Sequence, residues 1–448
     1  MLITNTKIIT WKDGQEILED QAVLLEGGII QEIGAAEALK QQHPEEEVFD
    51  ARGQYLMPGN ICAHTHFYGA FARGMGIPGD APRDFPEILK RLWWPLDMAL
   101  DEQGVRYSAL VFAVDAVKNG TTTLFDHHAS PNFIDGSLDV IGEVLEKAGL
   151  RGVLCYEVTD RNGKAGAQAG IAENLRMIEK TAGSSRLSAA FGLHASLTLS
   201  GETLAACREA AGEDVGFHIH VGEHQADEYD SLKRSGMRVV DRLHKHNLLG
   251  PKTILAHGVH IDMEEARLIA ESGSWLTHQP RSNMNNAVGA AAVEDFLRLG
   301  IPVGIGTDGF YHAMWEEWKT AYFLHKVHHL DPRRMNALDI VQMGVKNNAA
   351  LAEAYLSDLK LGVIEAGAAA DLILVDYHPY TPLNAGNLPW QIIFGFQESM
   401  ITSTLVDGEF LMKDRELLTL DEEAIASEAR ALAPEIWSRY EGYVGRYD

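Results

Sequence analysis

From about residue 57 to residue 360, short apolar runs alternate with longer stretches of helical periodicity. The runs fall at 61–66, 121–126, 152–157, 189–194, 215–220, 253–257, 274–278 and 302–308, and each leads through a loop into a helix-like pattern. Eight such units over about three hundred residues fit a (β/α)8 barrel, often called a TIM barrel, within the α/β class. Before this region, β-rich runs at 22–26 and 29–33 are punctuated by Asp13-Gly14 and Gly27-Gly28, which are hairpin-type turn signals. After it, strands are expected again at 370–375, 401–406 and, past Asp407-Gly408, at 409–412. The expected organisation is a discontinuous β-sandwich from 1–56 and 362–418, a barrel over 57–361, and a helical tail over 419–448 that is amphipathic and exposed. No internal repeat or low-complexity tract interrupts it.

Composition narrows the partners. The chain has 448 residues, 46% hydrophobic and 23% charged, with 64 acidic against 38 basic side chains and a net charge of -26. Such a surface argues against nucleic acid and anionic membranes, although one or two local arginines could still hold a small anion. The N-terminus lacks a basic segment followed by an apolar one, so no signal peptide is expected. No apolar stretch approaches a membrane span. Cys62, Cys155 and Cys207 are few, odd in number and far apart, which points to a reducing cytoplasm and no disulfide framework.

The candidate chemistry lies at the ends of the runs. His64-Thr65-His66 closes the apolar stretch at 54–63, and side chains two apart on a strand share a face. The later ends carry Asp126-His127-His128, Glu157, His194, His218 and His220 with Glu223 beyond, His257, His278 and Asp308. Catalytic groups of barrel enzymes gather at the C-terminal ends of strands. An HxH pair, a later histidine and a last-strand aspartate can hold one divalent ion, zinc or iron. Such an ion lowers the pKa of a bound water toward neutrality. Asp308 is placed to bind it and accept a proton, Glu223 to act as general acid, and His257 to face the attacking oxygen or the oxyanion. His220-Val221-Gly222-Glu223-His224 also spells the H-x-x-E-H of inverted zinc peptidases, but that motif needs a helix, and this stretch is strand-like with a glycine inside. The cysteine half of the cytidine-deaminase pattern is missing.

These residues resemble the amidohydrolase superfamily, deaminase/chlorohydrolase branch, over nearly the whole chain. The resemblance is carried by Met57-Pro58-Gly59 before His64-Thr65-His66, the step from His220 to Glu223, His257-Gly258, Ser282-Asn283, Gly306-Thr307-Asp308 and the segment 362–372. More narrowly, Asp126-His127-His128-Ala129-Ser130-Pro131, Thr159-Asp160-Arg161-Asn162 and Arg281-Ser282-Asn283-Met284-Asn285-Asn286 resemble the SsnA group of aminohydrolases. The resemblance implies one divalent ion, zinc first and iron second, on His64, His66, His220 and Asp308. It implies proton transfer and orientation by Glu223 and His257, a small heterocyclic substrate and a homo-oligomer of two or more chains. Relatives with two metals carry a carboxylated lysine at the end of strand four. Here that place is His194, and 188–199 has no lysine, which favours one metal and removal of an exocyclic amine from a purine-like ring. The alternative is hydrolysis of a ring C–N bond in a cyclic amide or purine-breakdown product. Ala368 departs from a usually basic position, and its effect is read as structural.

His194, Arg281, Asn283 and Glu157 are the candidate substrate contacts. A planar guanidinium at Arg281 could grip a carbonyl or carboxylate. For Glu157, with Asp160-Arg161, a solvated loop is the open alternative. Tyr68, Arg73, Trp93 and Trp94 could wall a flat ring, or pack as core. Trp315 carries the same two readings, and His127 and His128 stand between pocket lining and structure.

Overall fold

The computed structural model describes residues 1–12 and 17–447; the turn read at Asp13-Gly14 lies outside them. Two parallel sheets occupy the centre of the chain. One runs Asn60–Thr65, Thr121–His128, Arg151–Tyr156, Leu187–Ala189; the other runs Phe191–Ala195, Phe217–Val221, Ile254–His257, Trp275–His278, Val303–Ile305. Backbone bridges join the two sheets twice, Thr65 with Asp308 and Val158 with Leu193. All eight runs read from the sequence therefore contain a strand. The fourth is split: Leu187–Ala189 pairs with the third strand, and Phe191–Ala195 with the fifth.

The helices between strands form where an apolar stripe meets good termini. Ser137–Ala148 buries Leu138, Ile141, Leu145 and Ala148, spaced three and four apart, and stops at Gly149 in the left-handed conformation. Truncating Leu145 to alanine would cost about 2–5 kcal/mol of core packing. Met263–Ser272 starts on a reciprocal cap between Asp262 and Glu265.

Both ends of the chain share one nine-stranded sheet. Leu372–Val375 runs antiparallel to Tyr55–Pro58, which lies beside Leu2–Ile9. The apolar stretch at 54–63 is thus divided between two sheets, and Gly59 is the crossing point. A Cβ there would sit 2.3 Å from Cγ2 of Thr122, so only glycine permits the approach. Arg151, fully buried at the start of the third parallel strand, locks the sheets together. Its Nε and Nη2 donate to Asp371 at 2.6 and 2.9 Å, and it also pairs with Asp407.

The chain ends in the helix Glu422–Tyr443, which is not simply exposed. Ile436 and Tyr440 are buried, Trp437 Nε1 donates to the Phe71 carbonyl at 3.0 Å, and Tyr440 Oη to that of Arg91 at 2.6 Å. Among the described residues no helix is long and apolar enough to cross a membrane.

Candidate metal centre and active site

Four imidazoles and two carboxylates converge where the parallel strands end. His64 lies inside the first strand and His66 just past it in extended backbone, so the period of two turns both rings to one side. His220 comes from the fifth strand and His257 closes the sixth. Asp308 lies three residues beyond the eighth strand, with φ of 54°. It is held there because its N–H and that of Thr307 donate to the His64 carbonyl, while its own carbonyl accepts from the N–H of His66. His257 is also left-handed, at φ 75°. Two of the converging side chains therefore sit on strained backbone, a feature that clusters at functional sites.

The donor set fits a divalent cation. Ligand atoms of His64, His220, His257 and Asp308 lie within 4.8 Å of one another, as do those of His64, His66, His127 and His220. His66 Nε2 is 2.9 Å from Asp308 Oδ1, and His64 Nε2 is 3.4 Å from it. His66 Nδ1 donates to the His127 carbonyl at 2.6 Å, and His220 Nδ1 to the His194 carbonyl at 2.8 Å. In the neutral rings each Nε2 is then a bare lone pair, and these two atoms face each other at 3.0 Å. Such a pair needs a proton on one ring or a metal cation beside it. His64 Nε2, fully buried, has no hydrogen-bond partner. Burial works against charge on His66, yet Asp308 and Glu157 outweigh it and lift the ring to about 9. Burial also opposes the charge of Asp308, but His64 and His66 hold its carboxyl well below the ordinary range. Burial keeps His64, His220 and His257 toward their neutral, metal-binding form, and the Nδ1 atoms of His66 and His220 are oriented by backbone carbonyls, the usual support for imidazole ligands.

Glu223 and His257 stand beside this set, with His257 Nε2 3.4 Å from Glu223 Oε2. Burial and the charge of Asp308 push the Glu223 carboxyl well above its ordinary range, which favours its protonated form. Burial lowers His257. With Asn283 Oδ1 accepting from His257 Nδ1 at 2.9 Å, Nε2 is left as an acceptor. Gly222, at φ 54°, turns the chain between His220 and Glu223. The strand–turn arrangement removes the helical peptidase motif.

A cavity of about 220 Å³ opens onto these groups, lined by His66, His194, His220, Glu223 and Asp308 on one side and by Phe85, Leu89, Trp93, Trp94 and Leu197 among others. Its wall contains a π-helical turn, Leu89–Trp93, a feature often found at functional sites.

A model of the amidohydrolase family matches residues 55–411. The chain belongs to the amidohydrolase family. It is 32% identical to a 5'-deoxyadenosine deaminase of Methanobrevibacter smithii over 97% of this chain and 98% of that one. It is 30% identical to a 5-methylthioadenosine/S-adenosylhomocysteine deaminase of Syntrophomonas wolfei, over 97% and 98%. Among solved structures, a zinc-bound adenosine deaminase from Xanthomonas campestris superposes with a TM-score of 0.85, at 23% identity and 98% coverage of both chains.

In this amidohydrolase the sequence-derived substrate contacts separate into three kinds. His194 lines the cavity, its Nδ1 donating to Thr198 Oγ1 at 2.7 Å. Glu157 and Asn283 stand behind it. Glu157 is buried, not on a solvated loop; burial raises its carboxyl to about 8, and Oε1 lies 3.3 Å from His127 Nδ1 and 3.4 Å from His66 Nδ1. Arg281 does not line the cavity. Its guanidinium is taken up by Glu317 at 2.5 Å, Glu316 at 3.2 Å and the Tyr311 carbonyl at 2.7 Å. Tyr68, Trp93 and Trp94 do form a wall, whereas Arg73 pairs outside with Asp115 and Trp315 packs on Phe396. His127 stacks on His218, centroids 4.5 Å apart, and His128 bonds Ser130. Three contributors escaped the sequence reading as partners: His218, whose Nε2 is 2.9 Å from His64 Nδ1; Asn286, which donates to Glu223; and Ser282, which donates to Asp308. Ser282 and Asn286 lie four apart in one motif, a helical spacing that was the available signal.

Proposed function

We propose that this protein is a metal-dependent aminohydrolase that removes an exocyclic amine from a purine-type ring, with 5'-deoxyadenosine and related nucleosides as first candidates. The two parallel sheets, joined at both bridges, are read as one closed (β/α)8 barrel over 57–361. The segments 1–56 and 362–418 form the β-sandwich unit and 419–448 the helical tail. The carrying observation is the convergence of a buried glutamate, an acceptor imidazole and a three-histidine, one-aspartate set beside a single cavity. The deaminase names of relatives matched over nearly their full length support it.

His64, His66, His220 and Asp308 would hold one divalent ion, zinc by likeness to the zinc-bearing neighbour, which when bound makes water a nucleophile near neutral pH. His257 Nε2 orients the attacking water and accepts a hydrogen from it. Glu223 gives its proton to the ring nitrogen next to the amine-bearing carbon, so charge does not build on the ring. Asp308, ionised, would take the proton released by the attacking water and pass it to the departing amine, while the hydroxyl hydrogen left on the carbon returns to Glu223 as ammonia leaves. Trp93 and Trp94 flank the ring and exclude water, and His194 contacts the substrate. Three free, buried cysteines support a reducing cytoplasm, and an assembly of two or more chains is part of the reading.

The test is ammonia release from aminopurine nucleosides by the zinc-loaded protein and by Glu223→Gln. Deamination requires the variant to lose roughly two to four orders of magnitude. Ring opening without ammonia would replace this reading with cleavage of a ring C–N bond.

A further inference from the structure

The three groups assigned to proton transfer come from three different strands, yet one short stretch of chain touches them all. In residues 279–286, Ser282 Oγ donates to Asp308 Oδ2 and Asn283 Oδ1 accepts from His257 Nδ1 at 2.9 Å. Asn286 Nδ2 donates to Glu223 Oε1 at 3.3 Å and lies equally near Ser282 Oγ. Gln279 Oε1 accepts the backbone N–H of His257 at 3.2 Å. Positions 282, 283 and 286 share one face of the helix Pro280–Asn285 and its cap. Arg281, just before them, points the other way. Its Nε donates to Oε1 of fully buried Glu317, its backbone N–H to Oε2 of the same carboxylate at 3.2 Å, and its Nη2 to the Tyr311 carbonyl, three residues past Asp308. The helix and the Asp308 loop are thus fastened to one support.

We infer that residues 279–286 are a bracket that sets Asp308, His257 and Glu223 in register with one another, and that Arg281 is its anchor through Glu317. The backbone supplies the reason. Asp308 and His257 both lie at positive φ, in a conformation that costs free energy unless surrounding contacts over-determine it. Strand pairing reaches its last contacts at these residues, His257 beside Val221 and Asp308 beside Thr65, so where their side chains point is left to side-chain hydrogen bonds. Arg281 needs its fork: a lysine offers one point charge and cannot serve Glu317, Glu316 and the Tyr311 carbonyl together. Ser282, Asn283, Asn286 and Arg281 are therefore positioning residues. The inference rests on the proposed proton-transfer roles.

The test uses the zinc-loaded full chain with Arg281→Lys, Asn286→Ala and the double variant. Displacing a reaction group by about an ångström costs up to roughly a hundredfold, so each single variant should lose roughly ten- to a hundredfold in kcat, with KM within a few-fold and one metal per chain retained. The double variant should lose little more than the worse single one, because both act through one bracket. With histidines labelled with nitrogen-15, the His257 Nδ1–H resonance should shift or broaden in Arg281→Lys, which does not touch His257. Multiplicative losses, an unmoved His257 signal, or lowered thermal stability with unchanged kcat would each overturn the bracket. Should Arg281→Lys not fold, Ser282→Ala with Asn286→Ala carries the same comparison. Failure of the proposed activity is read separately, because Glu223→Gln would then leave ammonia release intact while the His257 signal still reports on the bracket.

Discussion

His66 Nε2 and His220 Nε2 face each other at 3.0 Å, although each ring has already given its Nδ1 hydrogen to a backbone carbonyl. Two lone pairs at that distance repel unless a proton on the raised His66 ring or a metal cation relieves them. One zinc equivalent per chain is expected by elemental analysis, with His66→Ala and His220→Ala well below one. Because metal binds the folded site, a hundredfold excess over the dissociation constant should add about 2.7 kcal/mol of stability, seen as a higher unfolding temperature than in chelator-treated protein. Two equivalents per chain would contradict the single-ion site.

Trp94 lies on the cavity wall, edge-on to His194 at 6.3 Å between centroids. Stacking a flat ring against an indole contributes about 0.5–1.5 kcal/mol beyond area burial. Trp94→Ala should therefore raise KM roughly three- to tenfold with kcat less affected, and a kcat loss at constant KM would argue that Trp94 does not contact the ring.

Asp97 is buried against Arg161 at 2.6 Å, and burial, opposed by that arginine, still lifts its carboxyl from 3.8 to about 6. A raised acid means the fold favours the protonated form. Below pH 3.8 both folded and unfolded chains hold this proton, and the contribution is fully present. Between 3.8 and about 6 the unfolded chain ionises first, so stability is lost as pH rises through that window. Urea unfolding of wild type against Asp97→Asn should show a difference that moves against the wild type across this range; a flat difference would refute the assignment.

Arg151 is fully buried and depends on Asp371 and Asp407. Removing one partner of a buried pair leaves an uncompensated charge and costs about 3 kcal/mol or more. Asp371→Ala should lower the urea midpoint accordingly, while a loss within the range of a surface substitution would show that Asp407 alone suffices.

Much of this architecture was legible beforehand because its signals are local. Each of the eight apolar runs contains a parallel strand, and the ends of those runs mark most of the converging side chains. The i, i+2 spacing of His64 and His66 turns both rings to one side by strand geometry alone. Less legible was where strands stop. Asp308 lies beyond its strand because the His64 carbonyl captures its N–H, and 54–63 divides at Gly59 because Thr122 leaves no room for a Cβ.

Arg281 shows the boundary most clearly. Its position beside the seventh strand end suggested a grip on substrate, yet Glu317, thirty-six residues later, claims the guanidinium. Glu157 likewise reads as a loop residue until the neighbouring strands bury it against His66 and His127. By itself the sequence determined the succession of strands and the kinds of ligand near their ends, which follow from periodicity and residue chemistry, and its motifs carried the resemblance to the family. Only the tertiary structure decided which polar group each donor satisfies. A buried charge must pair with whatever packing brings nearest, and that neighbour is set by elements far away in the chain.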